Sequence, residues 1–248
     1  MTEAQGIMIA RGDLGVEIAL EKVPLLQKRL ISMCNQHGKI VITATDMLDS
    51  MISKSTPTRA EVSDVANAIL DGTDVVMLSG ETSIGKYPIK AVSVMAKIAK
   101  QAESLLVNKV KKRKFYDISR AISRSVWQIS ETMPLNKVVT MTKTGYTARM
   151  IARFKLKQPI IAVTANRVVK NQLALVYGVF PILFEYEEEK DKILSVAKTL
   201  CDRGVLEEED IVLFTAGFRT YQKHSSNIIE IHTIKELIEY NQKTMSLQ

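Results

Sequence analysis

The sequence predicts an α/β fold built on parallel strands and divided into two bodies. Three observations carry this. Apolar, β-branched runs such as "GIMIA" (Gly6–Ala10) and "KIVITA" (Lys39–Ala44) show no polar alternation, so both faces of each strand expect burial, as in a parallel sheet. Each run is followed by a segment with helical spacing and helical punctuation, the rhythm of strand–helix crossovers. In each of the first three units the polar residues gather where the strand ends: Arg11 and Asp13, Thr45 and Asp46, Ser79 and Glu81. Sheets of this kind place their chemistry at those ends.

The first strand closes on Arg11-Gly12-Asp13. A surface adhesion tripeptide would need an exposed loop tip in a secreted chain, and nothing in the sequence signals secretion. Gly12 and Gly15 predict a tight turn before the next helix. Pro24 can start that helix and Gly38 can stop it, with Leu26, Leu30, Met33 and Cys34 along one face. The strand "KIVITAT" ends in the polar Thr43 and Thr45. Thr58 and Glu61 form a capping box that opens a second helix, with Val62, Val65, Ala66, Ile69 and Leu70 facing inward. Gly72 ends it, "DVVMLSGE" (Asp74–Glu81) is the third strand, and Pro88 starts the third helix.

After the basic run "KVKKRK" (Lys109–Lys114) the rhythm resumes. "YDISRAISRSVWQISETMP" is an amphipathic helix carrying Trp127. The strand "KVVTMT" leads through "KTGYT" into the helix "ARMIARFKL". Strands "PIIAVTA", "VFPILF" and "EDIVLFTAG" alternate with helices "VVKNQLALVYG" and "DKILSVAKTLCDRG". "NIIEIHTI" reads as a last edge strand before a short polar helix, and "EYEEEKD" as a solvated acidic loop.

Composition narrows the function classes. The chain has 248 residues, 46% of them hydrophobic, enough for one large domain or two modest ones and wrong for a disordered chain. No apolar run can span a bilayer, and residues 1–10 lack the basic start and long apolar core of a signal peptide. Cys34 and Cys201 sit in helix-like, apolar surroundings and read as reduced core thiols of a cytoplasmic protein. The charge is uneven: residues 1–103 carry 11 Lys/Arg against 12 Asp/Glu, a net −1, and the remainder 23 against 15, a net +8. A basic run can bind nucleic acid, but no aromatic residues interleave with this one to stack on bases. It reads as a solvated linker.

The stretches "ARGDLGVEI", "TATDMLDSMI", "PTRAEVSDVANAILDGTDVVMLSGETSIGKYP" and "IIAVTAN…YGVFP" together resemble pyruvate kinase, over essentially the whole chain. The resemblance implies a partial (β/α)8 barrel, namely its last three strand–helix units, followed by a separate α/β C-terminal domain. It implies domains at residues 1–106 and 117–248 joined by the linker 107–116. Strands one to five and the family's inserted lid domain have no counterpart in the sequence. The implied reaction is phosphoryl transfer from phosphoenolpyruvate to ADP, giving pyruvate and ATP in glycolysis, with Mg²⁺ and K⁺, in a cytoplasmic homo-oligomer.

By the same resemblance, Asp13 is a carboxylate ligand of Mg²⁺. The backbone N–H groups of Gly12 and Asp13 hold the substrate carboxylate. Thr45 lies beside the enolate and takes part in delivering its proton, as a relay through ordered water or by positioning alone. Ser79 and Glu81 support that rim, and Arg59 is a subunit contact or a solvated first-turn arginine. Asp46 stands where the family usually has glutamine. It adds charge near the metal or pairs with an arginine across an interface. The family's phosphoryl-facing lysine and its second metal carboxylate belong to the fifth strand, so the chain alone is expected to be inactive. In the second body, Thr142, Lys143, Thr144, Gly145, Tyr146 and Thr147 match the family's effector phosphate loop. Read from the residues alone, that segment is an anion cradle at a helix start or a plain strand–helix turn. The alternative function is a non-catalytic module that binds a phosphorylated metabolite and mediates assembly.

Overall fold

In the computed structural model, which describes residues 3–106, 118–185, 192–217 and 227–245, the chain forms two compact units, Met1–Lys109 and Val110–Gln248. The expected basic linker, the acidic loop and most of "GFRTYQKHSSN" lie outside the described residues.

The first unit holds a three-stranded parallel sheet in the order β1 (Gly6–Ala10), β2 (Ile40–Ala44), β3 (Val75–Val76). Between β1 and β2 run a short helix α1 (Arg11–Glu17) and the longer α2 (Val23–His37). Punctuation sets α2 as expected: Pro24 sits in its first turn and Gly38 closes it with a left-handed φ of 62°. Its buried stripe is Val23, Gln27, Ile31 and Cys34, rotated from the expected Leu26, Leu30 and Met33 onto a line through a glutamine. Ile31 and Cys34 pack with Ile9 and Val41 of the sheet.

Two other expectations change. No tight turn follows β1, because Gly12 and Gly15 fall inside α1, which starts directly after the strand. The third strand keeps two of the expected residues. Beyond Val76 only the Met77 N–H still reaches Thr43 O, at 3.0 Å, before the chain turns into α4 (Gly80–Ser83). Both strand ends are thus pulled early into helical turns. The side of the sheet away from α2 is open: Met8 is 52% exposed.

Helix α3 (Arg59–Leu70) and α5 (Pro88–Glu103) cover the loop after β2 through Val65, Ala68, Ile69, Ala91 and Met95 against Met47, Leu48 and Met51. The capping box is complete. Thr58 Oγ1 accepts from the Glu61 N–H and the Glu61 carboxylate accepts from the Thr58 N–H. The same carboxylate also accepts from the Ser50 N–H at 2.7 Å and the Ser50 hydroxyl at 2.6 Å. Burial alone would push the Glu61 carboxyl up, but the bonds from Ser50 and Thr58 outweigh it and hold the group below the usual carboxylate value. A depressed carboxyl contributes stability that is present above the unfolded-state value and lost as pH falls through the folded one. We expect Glu61→Gln to cost about 1 kcal/mol at neutral pH and to flatten the acid limb of the stability curve. Urea midpoints of both chains between neutral and acid pH check this; parallel curves would show that Glu61 contributes nothing through ionisation.

The second unit opens with α6 (Ile118–Thr132) and carries a five-stranded sheet in the order β6-β5-β4-β7-β8. These are β4 (Lys137–Met141), β5 (Ile160–Thr164), β6 (Val179–Leu183), β7 (Ile211–Ala216) and β8 (Ile228–Thr233). "NIIEIHTI" is an edge strand as expected, and β7–β8 is the antiparallel pair among otherwise parallel ones. Helices α7 (Tyr146–Ala152), α8 (Arg167–Leu173), α9 (Lys192–Asp202) and α10 (Ile234–Met245) connect or follow the strands. One face packs Val139, Met141, Val163, Val212 and Phe214 against Val196, Leu200 and Ile234 of α9 and α10. Right-handed crossovers place α7 and α8 on the other face. There α6 turns Ser119, Ser123, Val126 and Ser130 inward, and Trp127 stacks on Phe154 with ring centroids 5.6 Å apart. Cys34 is buried, Cys201 half-buried, and both thiols are free.

Candidate functional site

The carboxyl ends of β1 and β2 meet in one small network. Arg11, the first residue after β1, has a side chain only 10% exposed and reaches across to the loop after β2. Its Nε and Nη2 both donate to Thr45 O, at 3.1 and 2.7 Å, and Nη2 also donates to Asp46 O at 2.9 Å. Nη1 forms an ion pair with Asp64 on α3. Thr45 and Asp46, whose carbonyls it gathers, have φ of 66° and 52°. Left-handed backbone costs a non-glycine residue about 1–2 kcal/mol, and two in succession need an external hold.

That conformation brings Thr45 to the first turn of α1. Gly12 N–H donates to Thr45 Oγ1 at 3.0 Å, and Thr45 Oγ1 donates to Ala44 O at 2.7 Å. A Cβ added at Gly12 would lie 3.8 Å from both Thr45 Oγ1 and Asp46 Oδ2, filling the concavity between them. Asp46, left undecided between two settings by the sequence, therefore sits beside Gly12. Asp13, the next residue, is exposed on the same turn.

The third strand contributes through Glu81, which is 3% exposed and accepts from Leu48 N–H at 2.9 Å and Ser79 N–H at 2.8 Å. It ties the β3 end to the loop after β2. The structure thus brings Gly12, Thr45 and Asp46 together, with Asp13 adjacent, and holds the rim from outside by Arg11, Asp64 and Glu81. Asp64 was not foreseen as part of the site, and Arg11 was placed at the strand end but given no role; the Arg11 bonds reach partners 34 and 53 residues away in sequence. Among the described residues no group of three His, Cys, Asp or Glu side chains comes together to hold a metal ion. The exposed carboxylate at 13 is an oxygen donor of the kind a hard divalent ion takes, as one member of a ligand set whose rest would come from elsewhere.

In the second unit, Thr142 to Thr147 leave β4 where the sheet order reverses, between β4 and β7. This switch point is where open α/β sheets form a crevice. The loop is a defined turn. Gly145 N–H donates to the buried Thr142 Oγ1 at 2.9 Å, and Arg149 Nη1 donates to Thr144 O at 3.2 Å. Gly145 has φ 74°, a left-handed backbone that strains any side chain, and a Cβ there would also make the Arg149 guanidinium shift. Burial pulls the Arg149 guanidinium below its ordinary value. Lys143 is exposed, Thr144 and Tyr146 are half-buried, and Thr147 is buried on the first turn of α7.

Comparison with known proteins gives this geometry a family. "Pyruvate kinase, barrel domain" matches residues 1–92 and "Pyruvate kinase, alpha/beta domain" matches residues 120–232. A pyruvate kinase of Geobacillus stearothermophilus is 46% identical over 96% of this chain and 42% of its own length. Pyruvate kinase 2 of Synechocystis sp. is 45% identical over 96% of this chain and 41% of its own. A pyruvate kinase of Thermococcus litoralis is 44% identical over 94% of this chain and 50% of its own. The chain thus spans half or less of the length of these relatives, as a part of the barrel and a separate α/β domain. It belongs to the pyruvate kinase family.

Proposed function

We propose that this chain is the portion of a pyruvate kinase that carries one sector of the barrel rim and the C-terminal domain. Within the whole enzyme it takes part in moving a phosphoryl group from phosphoenolpyruvate to ADP, in a cytoplasmic homo-oligomer. The observation that supports this most is the concavity at Gly12, bounded by Thr45 Oγ1 and Asp46 Oδ2 at the carboxyl ends of two parallel strands.

The residues divide the work by chemistry. Asp13 would offer a carboxylate oxygen to Mg²⁺, which when bound neutralises charge on the transferring group. K⁺ finds no assigned ligand in this chain. The N–H groups of Gly12 and Asp13 would hold the substrate carboxylate. Gly12 N–H is bonded to Thr45 Oγ1, so a carboxylate arriving there exchanges one acceptor for another and frees a lone pair on the threonine oxygen, whose O–H still donates to Ala44 O. On turning from Ala44 O, that hydroxyl can pass a proton through ordered water or orient the enolate; it is too weak an acid to supply the proton unaided. In the second unit, the position of Thr142 to Thr147 at the switch point supports an anion cradle for a phosphorylated effector.

Calorimetry tests both parts. With Mg²⁺ present, phosphoenolpyruvate is expected to bind weakly, and Asp13→Ala to weaken it tenfold or more. Sugar phosphates and nucleotides are expected to include a binder whose affinity Thr144→Ala reduces. A non-catalytic metabolite-binding module gives the second result without the first. Phosphoenolpyruvate binding that ignores Asp13→Ala would overturn the substrate reading.

A further inference from the structure

We propose that Arg11 is the positioning residue of the barrel rim, holding Thr45 and Asp46 in the left-handed conformation that sets the threonine hydroxyl on Gly12. The purpose of this hold rests on the functional reading above; the hold itself does not. One guanidinium collects the carbonyls of both left-handed residues through Nε and Nη2 and also lies 3.0 Å from Met47 Sδ. Two carbonyls on consecutive residues suit a planar fork of fixed N–H directions. A lysine ammonium would present a point charge on a flexible stem. Asp64 supplies the counter-charge that lets a cation sit 10% exposed. Arg11 is also the residue next to Gly12, so a single side chain couples the turn that would receive the carboxylate to the hydroxyl that would act beside it.

A simpler role competes, in which Arg11 is only the ion-pair partner of Asp64 and the loop needs nothing from it. Nuclear magnetic resonance on the 248-residue chain separates the two. Three-bond HN–Hα couplings and Cα/Cβ shifts at residues 45 and 46 report their φ without any substrate. Positioning predicts that Arg11→Met and Arg11→Lys both lose the left-handed signature, and that Asp64→Asn, which leaves the carbonyl bonds intact, keeps it. If Arg11→Met does not fold, as judged by circular dichroism, the lysine and asparagine variants decide. A lysine variant that keeps the signature, or an Asp64→Asn chain that loses it as fully as Arg11→Lys, overturns the proposal. Titration with pyruvate and Mg²⁺, read at the Gly12 amide, is the separate arm. A shift is expected in the wild type, at tenfold or more higher ligand concentration in Arg11→Lys. A wild-type Gly12 amide that ignores pyruvate would sink the substrate reading, while the couplings still settle the hold.

Discussion

Incubated with phosphoenolpyruvate, ADP, Mg²⁺ and K⁺, the 248-residue chain by itself is expected to make no pyruvate above background. Phosphoryl transfer offers the protein little covalent chemistry; rate comes from charges held where the transferring group passes. On the proposed reading, this chain contributes Asp13, Thr45 and the N–H groups of Gly12 and Asp13 to that task. By the resemblance, the phosphoryl-facing lysine and the second metal carboxylate belong to the family's fifth strand, and the expectation rests on that reading. Each preorganised group of this kind is worth about 10²–10³ in rate, so two of them together remove roughly 10⁴–10⁶. A coupled assay with purified chain checks the expectation. Mixing with a separately expressed chain that supplies the other strand–helix units of a relative should raise activity, and Asp13→Ala should remove it again. Turnover by the chain alone, abolished by Asp13→Ala, would overturn the argument.

The second large effect concerns assembly. Three strand–helix units cannot close a barrel, and β1 and β3 are the outer strands of the first sheet. Around them Met8 is 52% exposed, Val16 85%, Leu20 73% and Leu25 70%. At ~25 cal/mol per Å² of apolar surface, covering a few such side chains is worth several kcal/mol, comparable to the whole stability of a small unit. Unpaired apolar edges also invite strand addition. The second unit, with five strands and an apolar core on the α9–α10 face, needs no such help. We therefore expect the isolated chain either to associate through residues 6–106 or to leave their amides much less protected than those of residues 137–216. Hydrogen exchange combined with light scattering measures both. A monodisperse monomer with equal protection in the two units would refute this expectation.

Local punctuation made most elements legible before any coordinates. Pro24, Gly38, Pro88 and the Thr58–Glu61 box each act within one helical turn, and each sits where it was expected. Faces were harder to read. On α2 the buried stripe runs through Gln27, and on α6 through Ser119, Ser123 and Ser130, polar positions that a search for apolar periodicity passes over. Strand ends were harder still. Glu81 captures two N–H groups and draws β3 into α4, a consequence of Leu48 lying nearby in space, which nothing adjacent in sequence announces. In the same way Arg11, Asp13, Thr45 and Asp46 were visible at strand ends, but the bonds by which Arg11 gathers the Thr45 and Asp46 carbonyls were not. A contact across 34 residues leaves no periodic trace.

Of all the side chains that could follow Ala44, a β-branched threonine is among those least at ease at φ 66°. Glycine or asparagine would settle there readily, and neither carries a hydroxyl. The residue type that suits the chemistry and the residue type that suits the backbone are therefore different, and the sequence keeps the former. The cost falls on residues outside Gly12, Asp13, Thr45 and Asp46: the Arg11 guanidinium that gathers both carbonyls, the buried Glu81, and the Ser50–Glu61 bonds at the far end of the loop. Drift at any of these would leave Gly12, Asp13, Thr45 and Asp46 in place in the sequence while letting Thr45 relax. A homologue can thus retain the full motif and lose the geometry that gives the motif meaning.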